Sequence, residues 1–151
     1  LFAVNIRGLR PSQNTTTPKP TETKPQPITM MTYISHDRGV SLTYASNLQI
    51  VESTTSSTMF YDESAPDTAV LLACQREKPN ISSQSERLES MTIHYASGSA
   101  TISGTLYRTT AQDNGAAIHN LIFKNPANNL YILVAGFGKT FESVISSLKV
   151  L

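Results

Sequence analysis

The chain has no tryptophan and one cysteine among its 151 residues. A single thiol, Cys74, excludes an intramolecular disulfide, so no covalent cross-link within the chain holds the fold. Charged residues make up 15% of the sequence and nearly cancel to +1, which leaves no strong field for nucleic acid or an acidic membrane. The basic residues are scattered without interleaved aromatics, so single-stranded nucleic acid is not an expected partner either. No run of about 18 apolar residues occurs, and with it no candidate transmembrane helix in the given chain. Histidine is scarce too: His36, His94 and His119 are the three, and none stands in a Gly-x-Ser-x-Gly setting.

These scarcities bear on chemistry. A nucleophilic Ser, Thr or Cys needs a base within hydrogen-bond reach, and the sequence offers no such set. Cys74 ends the apolar run Val70-Leu71-Leu72-Ala73-Cys74 and reads as a buried, inert thiol. A metal site needs several converging ligands. His36-Asp37 in a turn is one candidate pair, and His94 with Glu86 or Glu89 is another, but neither acid stands three or four residues from His94. Asp62, Glu63 and Asp67 share a loop yet lack the spacing of a calcium-binding loop, so a solvated acidic loop is the expectation. Gly136-Phe137-Gly138-Lys139-Thr140 is like a phosphate loop only on the surface, because the first glycine of that motif is replaced by Leu133. No catalytic residue, metal ligand or cofactor is therefore assigned.

What is present divides the chain in two. Residues 1–10 form a short apolar patch ending in arginine, compatible with the exit of a membrane anchor, a docked strand, or residues foreign to the domain. Pro11, Pro18, Pro20, Pro25 and Pro27 then stand among Thr, Lys and Gln, where almost nothing can be buried to offset the cost of ordering. That composition predicts an extended tether, with a ligand for proline-binding domains as the other reading. The chain begins at Leu1 rather than Met, so it reads as a fragment from which a signal peptide, lipidation site or anchor could have been removed upstream. Asn14 and Asn80 match the glycosylation sequon, which matters only in a eukaryotic secretory route. Residues 1–31 are thus a tail and linker, and 32–151 a globular domain.

From Thr32 the pattern is of short strands. Tyr33-Ile34-Ser35 leads into the turn His36-Asp37-Arg38-Gly39, and Val40, Leu42 and Tyr44 alternate with Ser41 and Thr43. Leu48, Ile50 and Glu52 continue it, Thr58 to Tyr61 is a further strand, and Ala69 to Gln75 is an apolar strand central to a sheet. Ser83 and Glu86 fit a capping box, and Leu88, Met91, Thr92 and Tyr95 share one face of a helix that Gly98 ends. Strands over 100–107 and 116–123 follow, separated by the turn signal Asp113-Asn114-Gly115. Leu130 to Ala135 reads as a buried strand. Phe141, Val144, Ile145 and Leu148 then form one stripe of a closing helix, with Thr140 as its N-cap. The total is about seven or eight strands with two helices, an α+β arrangement with an antiparallel sheet.

The stretch Tyr33-x-x-x-x-x-Gly39-Val40-Ser41-Leu42-x-Tyr44-Ala45-Ser46-Asn47-Leu48 resembles the opening of PsbP-like and DcrB-like domains. Ile102-Ser103-Gly104 is similar to a later strand of that family, and Phe141-x-x-Val144-Ile145-x-Ser147-Leu148-Lys149 to its closing helix and strand. Ala45 stands where the family has proline, and Leu48 where it has tryptophan. The resemblance implies the Mog/PsbP fold, a three-layer α/β/α sandwich with a central, mostly antiparallel sheet. It also implies a bacterial, extracytoplasmic setting, in the periplasm or on the cell surface, with membrane attachment only through an upstream anchor. Family members are mostly non-enzymatic, so no catalytic set is carried over. The expectation is a tethered, non-catalytic accessory domain that binds a protein or small-ligand partner. A small-ligand or lipid carrier with an apolar pocket between sheet and helix is the alternative, and an uncharacterised hydrolase a third.

Overall fold

A computed structural model describes residues 24–54, 56–81 and 85–151. Residues 1–23 of the expected 1–31 tail and linker, and the capping-box Ser83, lie outside the described residues. Alternating β-branched and polar residues dominate the rest, and strands account for 57% of the described residues. They are β1 (Met30–Ser35), β2 (Val40–Ala45), β3 (Gln49–Thr54), β4 (Ser57–Asp62) and β5 (Ala65–Gln75). After these come β6 (Glu86–Tyr95), β7 (Thr101–Thr110), β8 (Ala117–Lys124), β9 (Tyr131–Gly136), the helix α1 (Gly138–Ser147) and β10 (Lys149–Val150).

All ten strands join one sheet in the order β1-β2-β10-β6-β7-β8-β9-β5-β4-β3. Only β10 and β6 are parallel; every other neighbouring pair is antiparallel. The sheet curls into a half-barrel. The helix proves the curl, because it touches β2 near one end of the order as well as β5, β8 and β9 toward the other. Its buried face of Phe141, Val144 and Ile145 lies in the hollow. There it meets Val40 and Leu42 of β2, Val70 and Leu72 of β5, Leu121 of β8, and Ile132 and Val134 of β9. Burying these side chains is worth about 1.5–3 kcal/mol each, so this hollow is the core.

Close packing on the concave face depends on one missing side chain. A Cβ at Gly104 of β7 would lie 2.9 Å from Leu121 Cδ1 and 3.0 Å from Ile93 Cδ1. Glycine there lets residues of β6 and β8 close over β7.

Four expectations are corrected. The three-layer α/β/α sandwich is not the fold: among the described residues there is one helix, in the hollow, and the convex face of the sheet carries none. The physical reason lies in strands that are apolar on both sides. Outward residues of β5 and β9 cover each other in cross-strand pairs, Leu71 beside Ala135 and Ala73 beside Leu133, and stay half-buried without a second helix layer.

Second, the middle helix is strand β6. Met91, Ile93 and Tyr95 turn toward the core while Thr92 and His94 are exposed, a period of two, and β7 supplies the ladder. Leu88 sits where a bulge shifts the register between Arg87 and Glu89, and it is 38% exposed rather than on a core face. Third, Thr140 does not cap the helix. The N-cap is Phe137, with no side-chain cap hydrogen bond. The acidic loop is also shorter than expected, since β5 begins at Ala65 and includes Pro66. Pro66 lies before the part of β5 that pairs with β9, so its missing N–H interrupts no ladder there.

The expected strands around Val40–Tyr44, Thr58–Tyr61, Ala69–Gln75 and Leu130–Ala135, and the helix over Phe141–Leu148, are found at about those positions.

Candidate functional site

The chemistry of this chain concentrates where the curled sheet fails to close. Among the described residues no strand pairs with the outer side of β1 or of β3, the two ends of the order. The two edges are bridged by side chains instead. Tyr33 is paired with Leu42, so it points into the hollow, and across the seam Glu52 and Thr58 face inward as partners in the β3–β4 ladder. The Tyr33 hydroxyl donates to Glu52 Oε1 at 2.9 Å and lies 3.0 Å from Thr58 Oγ1. Its ring meets Phe60 edge-on at 5.2 Å, and Tyr44 approaches the same Phe60 at 5.2 Å from β2.

Beneath this bridge lies a buried cation. Arg38 is 4% exposed, and its Nη1 donates to the Tyr33 hydroxyl at 3.0 Å and to Ser35 Oγ at 3.2 Å. Tyr33 therefore accepts from the guanidinium and donates to the Glu52 carboxylate, linking opposite charges through one phenol. The turn that carries Arg38 is held from outside by the loop after β8. Asn125, fully buried, donates from Nδ2 to the carbonyls of Arg38 at 3.1 Å and Gly39 at 3.2 Å, and its Oδ1 accepts from Ala127 N at 3.0 Å. Gly39 has φ +66, and a Cβ there would sit 2.6 Å from Asn125 Nδ2, so only glycine fits the clasp.

An open cleft of about 480 Å³ runs over this network, lined by residues 33–38 and by Glu52. The elements around it, β1 with the segment before it, β3 and β4, carry most of the large exposed hydrophobics. Ile28, Met30, Met31, Ile34, Ile50, Val51 and Met59 are seven of the nine large exposed hydrophobics among the described residues. Met31 and Ile50 matter most. By register each belongs to the inward face of its strand, opposite Tyr44 and Phe60, yet they remain 47% and 38% exposed. The core is unfinished at these two positions.

The residues singled out by sequence are scattered. His36 is exposed in the β1–β2 turn, and the neighbouring Ser35 hydroxyl is engaged by Arg38. His94 is exposed on β6; Glu86, at the far end of that strand, pairs with Arg108 across the ladder. His119 of β8 stacks on Phe141 at 5.7 Å. Cys74 is partly buried against the core. Gly136, part of the phosphate-loop look-alike, is closely packed: a Cβ there would lie 2.9 Å from the Ala69 carbonyl oxygen and 3.3 Å from Phe141 Cβ. Among the described residues no group of three or more His, Cys, Asp or Glu gathers around a common point.

Asp62 shows what the acidic loop does. Its Oδ1 accepts from Ser64 Oγ at 2.6 Å and from Ser64 N at 2.9 Å, and its Oδ2 accepts from Asn47 Nδ2 at 3.2 Å. The hydroxyl of Ser64 and then its N–H hold the carboxyl below its ordinary value; desolvation opposes them, and Asn47 adds the least of the lowering effects. Such a carboxylate adds stability above its unfolded pKa and loses it as the pH falls through the lowered one. Ser64→Ala removes the largest cause, so the Asp62 titration is expected to move up in pH, read by NMR of its side-chain carboxyl. An unmoved titration contradicts the Ser64 assignment.

Tyr33, Arg38, Glu52 and Thr58 were not singled out by sequence. The available signal was an arginine in the turn right after an uncharged strand, and its partner lies on a strand that is adjacent only after the sheet has curled.

No family model matches the chain, and no curated protein does. A crystal structure from Bacteroides thetaiotaomicron VPI-5482 at 1.50 Å resolution is similar, with a TM-score of 0.51 at 16% identity. The likeness covers 80% of this chain and 48% of that one, so the chain spans about half the length of the protein it resembles. At that identity the likeness speaks to the fold alone.

Proposed function

We propose that the chain is a non-catalytic interaction domain, held outside the cytoplasm on its proline-rich tether, that binds a protein or small-ligand partner along the seam between β1 and β3. The observation that carries this is the pair Met31 and Ile50, inward by register and exposed in fact, beside two strand edges that no strand covers among the described residues. Edges left in this state pair readily with other chains unless something covers them. The separation of the three histidines supports a role without catalysis. The proline-rich composition of residues 11–29 supports the tether.

The carrier reading has less behind it. The space between sheet and helix, where a lipid would lie, holds Phe141 and Val144 against Val40 and Leu42. The hollow at the helix edge, lined by Tyr44, Lys139 and Val144 among others, has about 190 Å³, below the usual range of about 300–1,000 Å³ for ligand pockets.

The test places charge in the seam. The domain is used to capture binding proteins from an envelope extract of its own host, beside a double variant Met31→Lys with Ile50→Lys and a control, Leu88→Lys, on the far bulge. Capture should survive in the control and be lost in the double variant. Equal capture by all three overturns the seam as the binding surface, and recovery of the native protein from the cytosolic fraction overturns the setting.

A further inference from the structure

Resting on that reading, we infer that the seam takes one extended peptide strand from a partner protein. The strand runs antiparallel to both β1 and β3, with a basic residue at its N-terminal end and uncharged, alternately apolar residues after it.

Direction comes from the topology. Between β1 and β3 the sheet reverses at every step except the β10–β6 pair, eight reversals in nine steps, so the two edges point the same way. A single strand laid between edges of equal direction can be antiparallel to both, the better-paired arrangement on each side. The seam also has the right depth. Tyr33 and Glu52 meet end to end inside the hollow, at 2.9 Å, so their strands stand farther apart than the spacing of about 4.8 Å between bonded neighbours. That side-chain bridge forms a floor, and the strand edges form walls. A folded partner docking on the rims would leave both rows of backbone groups open, and a small molecule cannot match two rows at once.

Electrostatics set the composition. From Met30 to Tyr33 on one wall and from Gln49 to Val51 on the other there is no charged residue, so a charge in the middle of the peptide would lose water without gaining a partner. At the end where β1 finishes, the exposed charges are the carboxylates of Asp37 and Glu52, beside exposed His36, while Arg38 is buried at 4%. An antiparallel strand brings its N-terminal end to that corner, where a lysine or arginine is favoured. Along the peptide, alternate side chains would fall on Met31 and Ile50 and finish the inward face, as in strand addition to an open sheet edge.

The experiment uses the full chain and an end-capped probe peptide, Lys-Val-Thr-Val-Thr-Ile-Thr, with a partner peptide in which Glu replaces Lys. Binding is read by fluorescence anisotropy, and amide hydrogen exchange is read with and without peptide. The Lys peptide should slow exchange in both 30–35 and 49–52 and leave β7 unchanged, and the Glu peptide should bind about tenfold more weakly. Asp37→Lys, on an exposed turn side chain, should invert that preference. Ile50→Lys should weaken binding about tenfold and Ile50→Val should not; far-ultraviolet circular dichroism confirms that each variant is folded. Protection of one edge only, of neither, or equal binding of the two peptides overturns the inference. If host proteins are captured through the seam while both edges still exchange freely, the strand inference fails and the interaction reading stands. If seam charges leave capture intact, both fail.

Discussion

Phe60→Ala is expected to cost about 3–5 kcal/mol of stability, seen as a large fall in the urea midpoint or as failure to fold. Phe60 is fully buried on β4, and it receives Tyr33 and Tyr44 from the other end of the sheet. Truncation leaves a cavity and also removes the aromatic contacts across the seam, each worth about 0.5–1.5 kcal/mol beyond burial. Against a typical total of about 5–15 kcal/mol, the loss is a large share of what holds the fold. The adjacent Met59 is 42% exposed and faces outward, so Met59→Ala should stay within about 0.5 kcal/mol of the parent. Comparable losses at the two positions would contradict the placement of Phe60 as the keystone of the closure.

Asn125→Asp is expected to be as damaging at neutral pH, about 3 kcal/mol or more, although it changes one atom type. The Asn125 amide nitrogen donates to two carbonyls, at 3.1 and 3.2 Å, in a fully buried position. A carboxylate puts an anionic oxygen against those same oxygens. The neutral acid can still donate one hydrogen bond, so folding raises the pKa of the new group above the ordinary value of about 3.9. The sign follows: the penalty is smallest below that ordinary value and grows as the pH rises through the raised one. Urea unfolding of the variant at several pH values should show relative stability recovering toward acid. Asn125→Ala loses the same donors without adding a charge, so its deficit should not vary with pH in this way. A deficit of Asn125→Asp that is flat with pH would mean that the carbonyls have moved apart to admit water.

Most strands were legible because alternation is local: Val40, Leu42 and Tyr44 face the core and the residues between them do not. The closing helix was legible for the same reason, its stripe of Phe141, Val144, Ile145 and Leu148 being buried as spaced. Strand β6 was not. Leu88, Met91, Thr92 and Tyr95 satisfy a period of 3.6, while Met91, Ile93 and Tyr95 satisfy a period of two; the neighbouring β7 decides between them, and a window of one segment does not contain β7. The layer count failed in a related way. Apolar runs such as 70–74 and 130–135 look as though they need cover on both faces, but cross-strand neighbours supplied half of it. The seam was the least legible. Nothing local to Tyr33 indicates Glu52, because their meeting depends on the curvature of all ten strands.

The short strand β10 has a consequence for how this chain reaches its native state. Among the described residues its two positions are the only ladder joining the β1–β2 hairpin to the remainder of the sheet, pairing with Ser41 and Val40 on one side and with His94 and Tyr95 on the other. The nearby bond from Thr43 N to Ser147 Oγ spans 104 positions. The first hairpin must therefore wait, as an isolated and marginal pair of strands, until residues far along the chain are in place. Contacts of such separation make folding slow, and until they form the open edges of the hairpin are exposed to other chains during synthesis.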